Sequence, residues 1–592
     1  MLDPVVVSAT RTPVPVSQVV ADVTVINREE IERQASGTVV DLLSRTAGFQ
    51  VARNGGPAAD GNVYLRGGET RHIAVLVDGV RLDTQNASGG ASWQMLNLAQ
   101  IERIEIVRGP VSALYGSDAI SGVVQIFTKK GQGPASLDLG VSAGEWGFFK
   151  TDVGLSGAAG MFDYAVSASS ERSGGFSARN NARPGTRMAD RDGYLTEGGR
   201  LRLGFTPVAA HRIEAVASQQ HSLSRYDSTV ASRDDYGLRD LQDLKLQWSA
   251  QWLESWSSQV AVARSADRYA TPRANNYLSQ THVDTASWLN EFKWGGHAVT
   301  AVLERREDTL KNNDIVSSGI PGEGERSDNG LGLGYAWRAN GTVVQVNGRT
   351  DWDSEFGDHS TGAIAIGQDF AKHWNVHGSW GTGYRAPTLY QRFSRYGNPA
   401  LQPETSRNAE VGVRYHQAGA EVGLTVYDNW VTNLINSPVD SAQSCGLATP
   451  NGCYTSTGRA HLKGATVSGG VTMGLLRLSG SMDFGSYKNA QNDTELPRRA
   501  RRQASLRLDT DVKDWTLGAQ VLALSQRFDK ANNVNVFGGY AVLNLDALYR
   551  VNAQWRVLAR IDNVGNKKYE NAQTYGTTPR TAIIGLRWTP EL

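Results

Sequence analysis

The sequence has little of several features that define common protein classes. Only two of its 592 residues are cysteine, and 60 basic residues nearly balance 59 acidic ones. No run of about 18 apolar residues occurs, which excludes a transmembrane helix. The net charge of +1 argues against a nucleic-acid partner, which needs a concentrated basic surface. A mean hydropathy of −0.37 suits a soluble protein, but it also suits a membrane β-barrel, half of whose strand positions face water.

Motifs that carry catalysis are also missing. The sequence contains no GxxxxGK[ST] nucleotide loop and no HExxH zinc motif. His373 and His377 lie four residues apart, and on a strand that spacing is ~13 Å, too far for a shared metal. We therefore expect a protein that is not an enzyme.

The two cysteines and the N terminus both bear on the compartment. Cys445 and Cys453 flank a Pro-Asn-Gly turn signal in SCGLATPNGCY, which favours a disulfide within one loop over two free thiols. A disulfide indicates an oxidising compartment. The opening MLDPVVVSATR has no basic or apolar signal region, so we interpret the sequence as a mature chain.

The first ~130 residues have the size and pattern of a mixed α+β domain. NREEIERQ predicts a helix capped by Asn27, with Glu30 in the capping-box position. HIAVLVDGVRL predicts a strand and a tight Asp-Gly turn. In IERIEIVRGP, Ile101, Ile104 and Ile106 alternate with charged residues.

From about Ser136 onward the sequence alternates with a period of two residues. AEVGVRY, SLRLDTDV and WRVLARIDN each place apolar residues on one face and polar residues on the other. Many of these runs approach the ~9–11 residues needed to cross a bilayer at a tilt. Aromatic residues stand at their ends, where interface girdles belong: Trp515, Tyr549, Trp555 and Trp588.

About 22 such runs follow one another, and short turns alternate with long polar loops, as in bacterial outer-membrane barrels. A barrel of that size has a lumen wide enough to need a plug. The sequence therefore predicts a membrane all-β fold: a 22-stranded antiparallel transmembrane β-barrel with the N-terminal α+β domain as a plug in its lumen.

Several segments resemble TonB-dependent outer-membrane transporters, and within them the cobalamin (vitamin B12) transporters. TVVDLLSRTAGFQV, VYLRGG, VLVDGVRL and IERIEIVRGPVSALYGSDAISGVVQIFTKKG resemble the plug. YRAPTLYQRFSRYGNPALQPE, RRARRQ, YDNWVTNLI and IDNVGNKKYE resemble the barrel. The resemblance implies a TonB-box segment at residues 1–10, a plug at 11–133 and a barrel at 134–592. It also implies a monomeric barrel in the lipid of the bacterial outer membrane.

The resemblance assigns the N-terminal segment to the TonB box, the site where the C-terminal domain of TonB binds. A short apolar segment can add as a strand to a partner through backbone hydrogen bonds. The assigned residues are Asp3, Pro4, Val5, Val6, Val7, Ser8 and Ala9.

The resemblance also implies a corrinoid substrate, held by two plug loops and a few barrel residues. The loops are small and polar, which suits close approach to a bulky ligand rimmed by amides, although ordinary turns use the same residues. The predicted contacts are Asn54, Asp60, Gly61, Asn62, Asp83, Asn86, Ser88, Tyr226 and Arg498 or Arg499.

Calcium is expected by the same resemblance, because cobalamin transporters use it to order their substrate loops. Calcium binds six to eight hard oxygen ligands, and the matching carboxylates are Asp190, Asp192, Asp227 and Asp234 or Asp235. Ser177 replaces a further aspartate of the family pattern, which should weaken the site.

Other functions remain open. Haem or ferric-siderophore uptake could use the same machinery, although no histidine lies between Tyr384 and Leu401, where haem receptors carry one. A passive porin or an adhesin is the alternative of another class, and the plug and the TonB-box segment oppose it.

Overall fold

The computed structural model describes residues 5–179, 191–227, 234–273, 276–316, 319–436 and 452–590, except for the side chains of Ser17 and Asp234. Two bodies are built from these residues. The first is a small α+β domain, and the second is a closed barrel that surrounds it.

The N-terminal domain is centred on a five-stranded sheet. In spatial order its strands are Asp22–Asn27, Ile101–Arg108, Gly122–Thr128, Ile73–Val77 and Val80–Leu82. The hairpin of Phe49–Arg53 and Gly61–Leu65 lies beside it. The α-helices are Arg28–Gln34, Val39–Ser44 and Ser112–Tyr115, and the 3₁₀ turns are Val16–Gln18, Thr70–His72, Trp93–Met95 and Leu98–Gln100.

The local signals in the sequence explain these elements. Asn27 caps the first helix, since its side chain accepts a hydrogen bond of 2.9 Å from the Glu30 amide. Asp78 and Gly79 both have positive φ and turn the chain between two buried strands. The helices pack on the sheet around a core that includes Leu42, Phe49 and Ile104.

The described residues from Ser136 onward form a closed barrel of 22 antiparallel strands. We number them from the N terminus. Strands 1 to 22 are Ser136–Gly144, Phe148–Ala159, Phe162–Phe176, Asp192–Val208, His211–Asp227, Asp234–Leu253, Trp256–Thr271, Tyr277–Trp294, His297–Asn312, Glu323–Ala339, Thr342–Asp353, Gly357–Ala371, Trp374–Arg385, Glu404–Gln417, Ala420–Asn436, Thr455–Met473, Leu476–Asn489, Arg502–Val512, Trp515–Leu524, Tyr540–Arg550, Trp555–Asp562 and Thr581–Trp588.

Strand 1 pairs with strand 22, which closes the barrel and leaves no sheet edge in the hydrocarbon. The helix Leu389–Phe393 and two small hairpins, Arg527–Phe528 with Val536–Phe537 and Glu570–Ala572 with Tyr575–Gly576, lie in the loops at the extracellular end. A 3₁₀ turn, Glu145–Gly147, joins strands 1 and 2. Across the described residues, no helix has the length and apolar character to span a membrane.

The alternation places apolar side chains on the outer surface. In strand 14, Val411 is 61% exposed, whereas Glu410 at the preceding position faces the lumen and is buried. In strand 18, Leu506 and Leu508 are exposed and Arg507 is buried between them. An apolar side chain exposed in this pattern faces lipid, so the predicted barrel and its inside-out arrangement are confirmed.

Aromatic residues form a girdle at the periplasmic end of the wall. Trp515 begins strand 19 and stacks near Tyr549, with ring centroids 4.6 Å apart. Trp555 begins strand 21 and lies 5.5 Å from Trp588, which ends strand 22. These are the positions at which the sequence places an interfacial belt.

The outward-facing side chains of the barrel strands lead to a testable prediction about contact with lipid. Val411→Arg puts a charge near the middle of an outward-facing strand, where it should destabilise the barrel by about 2–4 kcal/mol. Thr405→Arg, on the same face near the end of that strand, should cost about 0–1 kcal/mol. Reversible unfolding in lipid vesicles measures both, and equal losses would contradict a lipid-facing surface.

Candidate functional site: the N-terminal segment and the extracellular mouth

The N-terminal segment is folded against the plug. Val5–Val6 pairs with Val14–Pro15 as a two-stranded sheet. Val6 and Ala9 are buried in an apolar cluster with plug residues such as Val107. Asp3 and Pro4 lie outside the described residues. The assignment of this segment to the TonB box stays a prediction, but the segment is docked rather than extended into solvent.

One buried carboxylate holds this segment. Glu105 Oε2 accepts hydrogen bonds from the backbone amides of Val7 and Ser8, at 2.9 and 3.0 Å, and from Ser8 Oγ at 2.6 Å. Its other oxygen accepts from Arg103 Nε at 2.9 Å. Hydrogen bonds to a charged group are about twice as strong as neutral ones. Glu105 is therefore the latch of the docked segment.

A second contact joins the segment to the barrel wall. Arg11 Nη2 lies 2.9 Å from Glu304 Oε2 on strand 9. The Arg11 guanidinium also lies over the ring of Tyr115, 4.9 Å from its centroid. The segment is thus attached both to the plug sheet and to the wall.

Buried ion pairs fasten the plug to strands 9 and 14 of the barrel. Each pairs an arginine with a lumen-facing or plug carboxylate at 2.6–2.9 Å: Arg66 with Glu410, Arg71 with Glu404, and Arg306 with Asp118 and Asp83. Burial alone would raise the pKa of Asp118, but Arg306, Arg385 and Arg81 hold that pKa below its ordinary value. Its contribution to plug docking is therefore present at neutral pH and is lost as the pH falls through that lowered pKa.

The first predicted substrate loop is an exposed hairpin turn of the plug. Asn54 donates its amide to the Asp60 carbonyl at 3.1 Å, and Gly61 and Asn62 begin the returning strand. The Asp60 carboxylate is half-exposed and pairs with Arg239 of strand 6 at 3.0 Å. This loop lies at the extracellular mouth with polar atoms on its surface.

The second predicted loop contains one exposed residue, Ser88, and two whose side chains already form hydrogen bonds or an ion pair, Asn86 and Asp83. The side chain of Asn86 accepts from the amides of Ser88 and Gly89, both at 3.0 Å, as an ordinary Asx turn does. Asp83 is buried, accepts from the Gly90 amide at 2.8 Å and pairs with Arg306. Asp83 thus contributes to plug anchoring in this structure.

The substrate contacts predicted on the barrel, Tyr226 and Arg498 or Arg499, have different surroundings. Tyr226 lies near the extracellular end of strand 5, on the rim of a crevice that also includes Asn54. Arg498 donates to Asp529 Oδ1 at 2.8 Å. Arg499 is buried, donates to the Gly67 carbonyl at 2.6 Å and lies over the ring of Tyr64. Arg499 therefore holds the plug, and Arg498 is the more accessible of the two alternatives.

The strand register brings most of the predicted calcium ligands to one end of the wall. Asp227 pairs with Asp234, and Asp235 is next to it, at the extracellular end of strands 5 and 6. Asp192 begins strand 4 beside them. Within the part of the chain that the structure describes, no group of three His, Cys, Asp or Glu side chains is close enough to hold a metal. Asp190 and the Asp234 side chain lie outside that part, so calcium stays a prediction.

Only one of the two cysteines of the predicted disulfide lies within the described residues. Cys453 is buried near the start of strand 16. Cys445 lies outside the described residues, so the pairing stays a prediction.

Comparison with known proteins identifies the family. A family model of the TonB dependent receptor-like β-barrel matches residues 173–564, and a model of the TonB-dependent receptor plug domain matches residues 15–123. The chain therefore belongs to the TonB-dependent receptors, which are outer-membrane proteins. Their members act with TonB as transporters rather than as enzymes.

Solved structures of other receptors share this fold. A point mutant of the ferric enterobactin receptor PfeA of Pseudomonas aeruginosa is 20% identical, with a TM-score of 0.83 over 99% of this chain and 100% of that one. The siderophore receptor PirA of Acinetobacter baumannii is 17% identical, with a TM-score of 0.79 over 96% and 98% of the two chains. The copper transporter OprC is 17% identical, with a TM-score of 0.79 over 97% and 99%. At these identities the likeness shows the fold alone.

The latch gives a testable consequence. Glu105→Gln keeps the shape of the side chain but removes its charge, so the hydrogen bonds to Val7 and Ser8 weaken. A spin label at Val5→Cys should then become several-fold more mobile, as measured by electron paramagnetic resonance. Glu102→Gln, at an exposed position of the same plug strand, is the control. Equal mobility in the two variants would show that Glu105 does not hold the segment.

Proposed function

We propose that the protein imports cobalamin or a related corrinoid across the bacterial outer membrane, driven by TonB. The observation that carries this proposal is the chemistry of the mouth around Asn54 and Tyr226. The crevice there combines small residues with acidic and basic side chains in equal number: Gly56, Ala58, Ala59, Ala178, Asp192, Asp227, Arg179 and Arg225. A surface with balanced charge and small side chains fits a bulky neutral ligand rimmed by amides.

Ferric-siderophore import is the second candidate. The structural neighbours reported above favour it over a corrinoid, because two of them are described as siderophore receptors. A ferric catecholate carries negative charge and would gain from a cationic mouth. This mouth has no excess of positive charge among the lining residues described, because Asp192 and Asp227 balance Arg179 and Arg225, and we therefore place the siderophore second.

Equilibrium binding to the purified full-length protein separates these candidates. The probes are cyanocobalamin, ferric enterobactin and haem, each titrated with and without calcium. Our proposal expects tight binding of cyanocobalamin alone. Tight binding of ferric enterobactin with micromolar or no binding of cyanocobalamin would overturn the corrinoid assignment and support the second candidate.

The N-terminal segment should be needed for uptake but not for binding. Val6→Pro removes a backbone donor and disfavours the strand that would add to TonB. Uptake of the bound chelate by energised cells should fall at least tenfold, while the binding constant stays within twofold. Val6→Thr keeps the amide and a β-branched side chain, and it should retain most of the uptake. Normal uptake by Val6→Pro would rule out this role.

We expect calcium to bind at the carboxylates that lie at the extracellular ends of strands 4 to 6. Neutralising two of them in Asp227→Asn/Asp235→Asn removes hard anionic oxygen ligands. Calcium affinity should therefore drop at least tenfold in isothermal titration calorimetry. Asp358→Asn, on the far side of the barrel at the start of strand 12, is the matched control. Unchanged affinity in the double variant would refute the site.

A further inference from the structure

A cavity of about 350 Å³ lies between the plug and the barrel wall, on the side where strand 1 pairs with strand 22. Its wall side is formed mainly by strands 1 to 3, 21 and 22, and it reaches Ser136, the first residue of strand 1. A single water molecule needs roughly 10–15 Å³ of such a space. The cavity can therefore hold several water molecules or a small hydrated ion.

Small polar side chains create this space. The lumen-facing positions of the first three strands carry glycine or serine: Gly140, Ser142, Gly154, Ser156, Ser167 and Ser169. Serine hydroxyls can donate as well as accept hydrogen bonds. The cavity is therefore lined by groups that suit a polar ligand.

The charges around the cavity are not balanced. Eight basic and four acidic side chains line it. Two of the basic ones, Arg200 and Arg202, form buried pairs with Asp78 of the plug and with Asp243 and Glu214 of the wall, which lie outside the cavity lining. Six basic side chains then remain against four carboxylates.

The surplus lies at the periplasmic end of the cavity. Glu32 of the first plug helix pairs there with three arginines: Arg28 at 2.9 Å, Arg556 at 3.0 Å and Arg587 at 3.3 Å. Asp138 of strand 1 accepts from Arg587 Nε at 2.7 Å and pairs with Lys129 at 2.8 Å. Four cations thus share two carboxylates, which leaves two positive charges uncompensated among the lining residues described. We call these six side chains the cation cluster.

The cation cluster is accessible from the periplasm and separated from lipid by the wall. Its side chains are 17–28% exposed. Arg556 follows the first residue of strand 21, and Arg587 precedes the last residue of strand 22, so both lie beside the periplasmic aromatic girdle. A solute that reaches the cluster therefore comes from the periplasm.

A buried donor of the plug lines the same cavity. Gln100 is 7% exposed, and its Nε2 has no hydrogen-bond partner among the residues described. The Lys129 amide donates to the Gln100 carbonyl at 3.1 Å, which places Gln100 next to the cation cluster. A buried donor without a partner is unfavourable, so this amide points to a ligand with acceptor atoms.

Repulsion within the cluster has a second sign. Burial lowers the pKa of the Lys129 ammonium, and the guanidiniums of Arg28 and Arg587 lower it further, although Asp138 acts in the opposite direction. An ammonium with a carboxylate partner ordinarily has a raised pKa. The lowered pKa is consistent with positive charge that the two carboxylates do not balance.

We propose that the cation cluster binds a small oxyanion of the phosphate class from the periplasm, and that this anion joins the plug to the wall. A dianion matches the surplus of two charges, and guanidiniums bind phosphate oxygens through forked hydrogen bonds. Arg28 and Lys129 belong to the plug, whereas Arg556 and Arg587 belong to the wall. The anion therefore replaces repulsion between the two bodies by attraction. This role goes beyond import and does not depend on which chelate is carried.

The first test measures binding of inorganic phosphate to the full-length protein by isothermal titration calorimetry. The detergent contains no phosphate, and chloride keeps the ionic strength constant. Lys129→Gln removes one cation of the cluster while Asp138 keeps Arg587, so the affinity for phosphate should fall at least tenfold. Lys130→Gln, at the adjacent lysine that does not line the cavity, is the matched control and should stay within twofold. Equal losses in the two variants, or no saturable binding to the unchanged protein, would overturn the proposal.

A variant of the wall tests whether the anion joins the two bodies. Arg556→Gln should also weaken phosphate binding at least tenfold, because the same anion contacts plug and wall. Arg550→Gln, at an exposed position at the end of strand 20, is its control. Normal phosphate affinity in Arg556→Gln would contradict the bridge.

Thermal unfolding gives a readout of the stabilising role. A ligand that binds only the folded protein raises the midpoint of unfolding. Phosphate at constant ionic strength should therefore raise the midpoint of the unchanged protein and of Lys130→Gln, but have little effect on Lys129→Gln and Arg556→Gln. The same rise in all four proteins would show that phosphate acts elsewhere and would refute the site.

Discussion

A peptide group in the hydrocarbon of a bilayer has no water with which to form hydrogen bonds, so every strand edge exposed there must be paired. This constraint explains the closure between strand 1 and strand 22 and the outward-facing apolar residues such as Val411 and Leu506. Closing 22 strands also creates a wide lumen. The plug fills that lumen, and the remaining features of the protein follow from how the plug is held and how it can move.

Buried ion pairs hold the plug on more than one side of the barrel. Arg71 of the plug pairs with Glu404 of strand 14, and Asp78 pairs with Arg200 and Arg202 of strand 4. The N-terminal segment is docked by Glu105 and by the Arg11–Glu304 pair at strand 9. Together these contacts keep the plug in the lumen.

Period-two alternation was enough to predict the barrel, its strand number and its lipid face, because a single residue shift would put every apolar side chain in the lumen. Alternation was less informative in the plug. Glu105 lies among isoleucines in IERIEIV, and the pattern places it on a charged face, whereas the structure buries it as the latch. A partner as distant in sequence as Ser8 leaves no local signal.

The candidate site was predicted less completely than the fold. Asp83 and Arg499 are the right residue types for a polar ligand, yet each is already paired with the opposite body of the protein. Sequence cannot distinguish a carboxylate that meets a ligand from one that meets an arginine across the lumen. The register that pairs Asp227 with Asp234 follows from the alternation, so this pairing could be anticipated, whereas calcium binding by these carboxylates stays a prediction.

The central claim is that a plug inside a closed wall blocks a lumen that would otherwise conduct. Ion conductance of the full-length protein in a planar lipid bilayer tests this claim most directly. The narrow crevice at the mouth, about 10 Å³, and the buried ion pairs between plug and wall predict almost no steady current, while a variant lacking residues 11–133 should conduct as an open pore. A steady, ohmic current through the full-length protein would contradict the account.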